Sequence, residues 1–172
     1  MSKFENPRET MKNTTIQLDK LDLKILSEIQ QDNRISNSEL ARRIKLSQPA
    51  THTRIKRLEA LGVIRQHVSL LNREALGLDI ICFFQVRLQV HTEETLIRFE
   101  ENIQSLPSVL DCYYLTGQFD YLLKAVFRNR QELADFVRSS LTPLPDVVQI
   151  ATSVVFSEIK SSTVLPLPDN TV

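Results

Sequence analysis

Glycine is scarce in this chain, with three residues in 172. Together with a hydrophobic content of 42%, that scarcity excludes a low-complexity chain and leaves enough apolar mass for one domain or two small ones. Cysteine is scarce too. Cys82 and Cys112 lie in apolar, strand-like stretches ("IICFFQV", "VLDCYYL"), without a CxxC pair or a neighbouring His. That spacing argues against a zinc site and predicts two buried core thiols. No run of about 18 apolar residues occurs, so no membrane span is expected. The opening "MSKFENPRETMKNTTIQ" has no apolar segment of the secretory kind, which makes the cytoplasm the expected compartment. A Ser-His-Asp set, a Gly-rich phosphate loop and an HExxH pattern are all missing, so no enzyme, cofactor or metal is expected.

Net charge is also missing, since 21 Lys+Arg balance 21 Asp+Glu. The balance hides an asymmetry. From Arg34 to Gln66 the bases are Arg34, Arg42, Arg43, Lys45, Arg54, Lys56, Arg57 and Arg65, against Glu39 and Glu59 alone. Eight bases less two acids make this segment +6, and the rest of the chain −6. A basic module joined to an acidic one points to a polyanionic partner for the first and a different task for the second.

Hydrophobic spacing divides the chain accordingly. Residues 1–17 read as a flexible tail. Leu18, Leu21, Ile25, Leu26 and Ile29 stand at helical spacing, with Asp19 and Asp22 favouring the helix start. Ser36 with Glu39 forms a capping-box pattern before a second helix with Leu40, Ala41 and Ile44 inward. Ser47 and Pro49 open a third helix that stops at Gly62. Residues 18–65 are thus a helix-turn-helix module, and 66–79 a linker or wing strand. From residue 80 to 160 the order reads β-α-β-β-α-β, the pattern of a ferredoxin-like sandwich, so the class is α+β. Helices on one side alone would leave a sheet face for a second copy, with Phe83, Gln85 and Arg87 on one face and Cys82, Phe84, Val86 and Leu88 on the other. Residues 161–172, with two prolines in "LPLP", read as an arm or loose tail.

With Ile55 and Leu58 of the third helix turned inward, Pro49, His52, Thr53 and Lys56 face outward. Ser47, Gln48 and Thr51 belong to the same helix start. Arg42, Arg43 and Lys45 flank it, and Arg54 and Arg57 run along its sides. Short polar side chains near a helix N-terminus suit base edges, and surrounding cations suit phosphates, so double-stranded DNA is the expected partner.

The stretch "LDKLDLKILSEIQQDNRISNSELARRIKLSQPATHTRIKRLEALGVI" resembles the N-terminal module of the Lrp/AsnC family, the feast/famine regulators. The match runs through Leu18, Asp19, Asp22, Ile25, Leu26, Asp32, Arg34, Ser36, Leu40, Leu46, Ser47, Arg54, Arg57, Leu58, Glu59, Gly62 and Ile64. Two departures stand out. Lys45 occupies the turn position where the family has Gly, which adds a cation and implies a less demanding backbone angle. "QPATHT" after Ser47 differs from the family's usual residues on the base-reading face, so an operator sequence does not carry over.

The resemblance continues through "LTGQFDYLLKAVF" and "VVQIATSVVFSEIK", which are similar to the family's regulatory domain. It implies a sequence-specific transcriptional regulator of amino-acid metabolism or transport, dimers assembling into higher oligomers, and an amino-acid effector. It places the effector at Gly117 and Asp120, with Thr152 or Ser153 at the ligand carboxylate and Leu115 and Gln118 nearby. Read on their own chemistry, Gly117 and Asp120 make an ordinary β-turn, or offer a lone carboxylate to an α-ammonium. The ending "IKSSTVLPLP" resembles a subgroup answering to apolar or sulfur-containing amino acids. Two alternatives remain at this level: an architectural DNA-binding protein without an effector, and an enzyme similar to the sirohaem decarboxylases. The latter needs His as well as Arg in the second half, where His67 and His91 are the only histidines.

Overall fold

The computed structural model describes residues 16–168, and the expected N-terminal tail falls almost wholly outside them. The chain forms two compact units. One comprises residues 16–69 together with 161–168, and the other residues 70–160.

The first unit contains α1 (Lys20–Gln31), α2 (Asn37–Ile44) and α3 (Gln48–Ala60). Their apolar stripes meet in a core of Leu23, Ile25, Leu26, Leu40, Ile44 and Leu58. Each such burial contributes about 1.5–3 kcal/mol relative to exposure. Local chemistry sets the helix ends. Asp19 and Asp22 form a reciprocal capping box at the start of α1. Ser36 accepts from the Glu39 amide, but the return half of the expected second box is absent, because Arg42 and Arg43 draw the Glu39 carboxylate away. Ser47 caps α3 with Pro in the first turn. Gly62 follows α3 at φ +70°, the left-handed conformation that lets Val63 bond back to Leu58.

Three expectations for this unit need correction. Lys45 does not relax the turn between α2 and α3. It adopts φ 60°, ψ 44°, the left-handed angle a glycine would take, because the turn still bonds the amides of Lys45 and Leu46 back to α2. Of the two readings of residues 66–79, no wing strand forms, and the segment is a linker with a turn at residues 73–77. The described part of the C-terminal segment is not loose. Gln30 donates to the Leu165 carbonyl at 3.3 Å and accepts from its amide at 2.7 Å, while Leu167 packs on the helical core.

The second unit runs β1 (Ile80–Leu88), α4 (Glu93–Gln104), β2 (Val109–Tyr114), β3 (Tyr121–Phe127), α5 (Arg130–Asp135) and β4 (Val147–Val154). α5 continues into a π-helical turn over Phe136–Leu141. The strands form one antiparallel sheet in the order β2-β3-β1-β4, the arrangement expected of a ferredoxin-like βαββαβ unit. Strand alternation divides β1 as expected. Cys82, Phe84, Val86 and Leu88 are buried against Phe99, Ile103, Phe136 and Leu141, whereas Phe83, Gln85 and Arg87 face the other way and are less covered. The cysteines part company: Cys82 is buried, but Cys112 is exposed, because β2 is an edge strand.

α3 itself buries little, with Thr51 and Leu58 its fully buried residues. Its hold on α1 is ionic. Asp22 has no solvent exposure, and its carboxylate receives Arg54 at 2.8 Å and Arg57 on the other oxygen. Arg54 also reaches Asp19 at 2.7 Å. Removing one partner of a buried pair costs about 3–5 kcal/mol, and the part-exposed arginines reduce that here to about 2. Asp22→Ala is expected to lower the stability of the helical unit by about 2 kcal/mol in denaturant unfolding followed by circular dichroism.

Candidate nucleic-acid interface and effector turn

The outer face of α3 carries Gln48, Pro49, His52, Thr53 and Lys56, all exposed. Gln48 has no side-chain hydrogen-bond partner among the described residues. His52 Nδ1 lies 3.4 Å from the Asn37 amide nitrogen. Thr53 donates its hydroxyl proton to the Pro49 carbonyl at 2.9 Å, leaving its methyl and an oxygen lone pair outward. Lys56 pairs with Glu59 at 2.7 Å on the exposed surface, a contact weak enough for a phosphate to compete.

Thr51 does not belong to this face. Its side chain is fully buried and its hydroxyl donates to the Ser47 carbonyl at 3.0 Å, because it points into the bundle at the helix start. Arg54 and Arg57 are also placed differently from the expectation. Both bind the buried Asp22 carboxylate, so they hold α3 in position rather than standing free along its sides. Arg42 and Arg43 share Glu39, and Arg43 adds Glu28 at 2.7 Å. The two guanidiniums hold the Glu39 carboxyl down to about 2, Arg42 contributing most. Lys45 and Ser47 are exposed at the turn.

The turn between β2 and β3 is built around Asp120. Its amide donates to the Val86 carbonyl at 2.9 Å, and its carbonyl accepts from Leu115 at 2.7 Å. The carboxylate is not the lone group expected. Oδ2 accepts from the Leu88 amide at 2.7 Å and Oδ1 from His91 Nε2 at 2.8 Å, leaving the side chain 14% exposed. Gly117 has φ +126° and open space where a Cβ would stand, so glycine is required there for conformation rather than close approach. Gln118 is exposed and Leu115 half-buried. Thr152 pairs with Phe84 and Ser153 with Phe83, so they occupy opposite sheet faces. Both lie on β4, two strand spacings, or about 10 Å, across the sheet from β3. One chain therefore does not bring Thr152 or Ser153 to the Gly117–Asp120 turn.

Sequence reasoning missed two groups. The sequence marks Asp22 as a helix-start residue and as part of the family match, but not as a buried ion-pair partner. Its burial depends on arginines 32 and 35 residues away, which leave no local signal. His91 lies 29 residues before Asp120 and likewise carries no pattern linking the two. Among the described residues no cluster of His, Cys, Asp or Glu is suited to a metal, and no helix is long and apolar enough to cross a membrane.

A tri-helical unit with an exposed polar recognition face, followed by a βαββαβ unit, defines a helix-turn-helix regulator with an appended sensory fold. Comparison with known proteins agrees. Residues 18–65 match the winged helix-turn-helix DNA-binding family, and residues 81–165 the Lrp/AsnC ligand binding domain. The leucine-responsive regulatory protein of Rhizobium meliloti is 37% identical over 147 residues, covering 86% of this chain and 94% of that protein. The transcriptional regulator AzlB of Bacillus subtilis is 33% identical over 154 residues, covering 90% and 98%. Among solved structures, a transcriptional regulator of Neisseria meningitidis in complex with L-methionine is 36% identical, with a TM-score of 0.83 over 87% of this chain and 97% of that one. The chain belongs to the Lrp/AsnC family of transcriptional regulators.

The paired carboxylates of the helical unit have a pH consequence. The Asp22 amide, then Arg54, hold the Asp19 carboxyl below its usual value. A depressed carboxyl stabilises the fold above the unfolded value of about 4, and that contribution is lost as pH falls through the folded value. The melting midpoint of the wild type should therefore drop more between neutral pH and pH about 3 than that of Asp19→Asn, as read by circular dichroism.

Proposed function

We propose that this regulator reads an operator in duplex DNA with the exposed face of α3 and senses an apolar or sulfur-containing amino acid at the β2–β3 turn. The observation that carries the first half is the pairing of an outward Gln48-His52-Thr53-Lys56 face with an inward ionic clamp through Arg54 and Arg57. A helix fixed from behind presents its base-reading groups at low conformational cost. Gln suits the N6/N7 edge of adenine, and an imidazole suits guanine acceptors. The L-methionine held by the Neisseria relative supports an amino-acid effector here.

The functional unit is a homodimer that assembles further. Leu110 and Tyr113 on β2, Val148 and Val154 on β4, and Phe156 and Ile159 beyond it are all exposed in the single chain. Apolar side chains left exposed along both edge strands and beyond call for a second copy. The split of Thr152 and Ser153 from the Gly117–Asp120 turn supports the same reading, since a neighbouring chain would have to complete the ligand site. Asp120 then keeps its structural bonds and offers its negative charge to the ligand ammonium in competition with His91.

Two measurements test this. Gln48→Ala and His52→Ala should change the ranking of duplex sequences more than they weaken the average, by about 1–3 kcal/mol at the base each side chain reads. Loss spread evenly over all sequences would count against base reading, and a monomer by light scattering at micromolar protein would overturn the dimer. Asp120→Asn keeps an acceptor for the Leu88 amide but removes the charge. It should weaken L-methionine or L-leucine binding by roughly ten- to hundredfold in calorimetry, the value of a charge-assisted hydrogen bond. Equal affinities would move the site elsewhere. A wild type that binds DNA but no amino acid would favour an architectural role.

A further inference from the structure

Of the eight basic residues between Arg34 and Gln66, five are engaged by carboxylates. Arg42 and Arg43 share Glu39, Arg54 and Arg57 share Asp22, and Lys56 holds Glu59. A paired cation meets a phosphate only by giving up its carboxylate, a small cost for the exposed Lys56 and Arg42 pairs. Arg54 and Arg57 cannot be drawn away without leaving a buried carboxylate unpaired, which is costly. The remaining three are Arg34, Lys45 and Arg65. All are exposed, and none has a carboxylate partner among the described residues.

Their positions are not scattered. Arg34 stands two residues before Ser36, the cap of α2, and Lys45 two residues before Ser47, the cap of α3. Arg65 stands three residues after Gly62, where the chain leaves α3. The three thus mark the entry to the motif, its central turn and its exit. Docked helix-turn-helix units meet the DNA backbone on both sides of the groove that holds the second helix, from the first helix and from flanking segments.

Lys45 supplies an independent observation. It is held in the left-handed region, φ 60°, ψ 44°, as the C-cap of α2. Glycine or asparagine takes that conformation with less strain. A lysine retained there has no packing or pairing role among the described residues that offsets the strain. Its free ammonium is the remaining asset.

We propose that Arg34, Lys45 and Arg65 are the residues that neutralise duplex phosphates, and that Lys45 is kept in a strained conformation for this purpose. The inference rests on the reading of α3 as the DNA helix and names the backbone contacts that reading leaves open. Arg54 and Arg57 act beside them as positioning residues, through Asp22.

Binding of the full-length protein to a mixed-sequence duplex of several helical turns is measured by fluorescence anisotropy across a salt series. The logarithmic salt slope reports the number of phosphates neutralised, about 0.9 per contact. Arg34→Gln, Lys45→Gly and Arg65→Gln should each reduce the slope by about 0.9 for every protomer engaged. Lys45→Gly should at the same time raise the melting midpoint by a few degrees, and Lys45→Arg should restore binding without that gain. A residue with only a structural role would move binding and stability in the same direction. Arg54→Gln is expected to register chiefly as a lower melting midpoint. A triple variant, Arg34→Gln with Lys45→Gly and Arg65→Gln, that retains the wild-type slope would overturn the proposal and leave the DNA reading intact. A wild type that fails to bind duplex at low salt would overturn the DNA reading and this proposal with it.

Discussion

The helical unit depends on one buried carboxylate. Asp22 sits in the first turn of α1, wholly out of solvent, where it completes the capping box with Asp19 and receives two guanidiniums from α3. A carboxylate in such a place is tolerable only if its oxygens are met by donors, and here Oδ1 takes Arg54 while Oδ2 takes Arg57 and the Asp19 amide. The consequence falls on α3. That helix has a thin apolar stripe, so packing alone leaves its rotation weakly specified. The two arginines, three positions apart on one face, fix the rotation and thereby decide which residues look outward.

This clamp changes how charge in the segment is to be understood. A count of bases suggests a uniformly cationic surface. Pairing divides those bases into groups that hold the fold and groups that remain available to a polyanion. Exposed pairs such as Lys56 with Glu59 or Arg42 with Glu39 contribute little stability and exchange readily, whereas the Asp22 pairs are tied to the core. In the proposed reading, stability is drawn from Arg54 and Arg57 on α3, and phosphate binding from bases that lie outside that helix.

The sheet unit has its own carboxylate at a comparable position. Asp120 bonds the Leu88 amide and His91 at one end of β1, so the β2–β3 turn is pinned to the strand beside it. A rigid turn with an exposed glycine is a sound platform for a ligand, but it is an incomplete one. The hydroxyls of Thr152 and Ser153 lie on the far edge of the same sheet. In the proposed reading, assembly and ligand recognition are linked, because another copy would supply what the turn lacks.

Much of this was legible in the order of residues. The helix start at Ser47, the stop at Gly62, the βαββαβ order and the alternation along β1 are local or periodic features, and each follows from hydrogen-bond and side-chain geometry within a few residues. The family resemblance was legible for the same reason, since it is carried by contiguous motifs. What tertiary structure decided is the set of pairings between distant groups. Nothing near Asp22 announces Arg54 and Arg57, nothing near Asp120 announces His91, and nothing in "LPLP" announces that Leu167 packs on the helical core. Lys45 shows the limit most directly. Its side chain prefers a relaxed backbone, but the turn joining two packed helices demands a left-handed residue, and packing overrules the local preference.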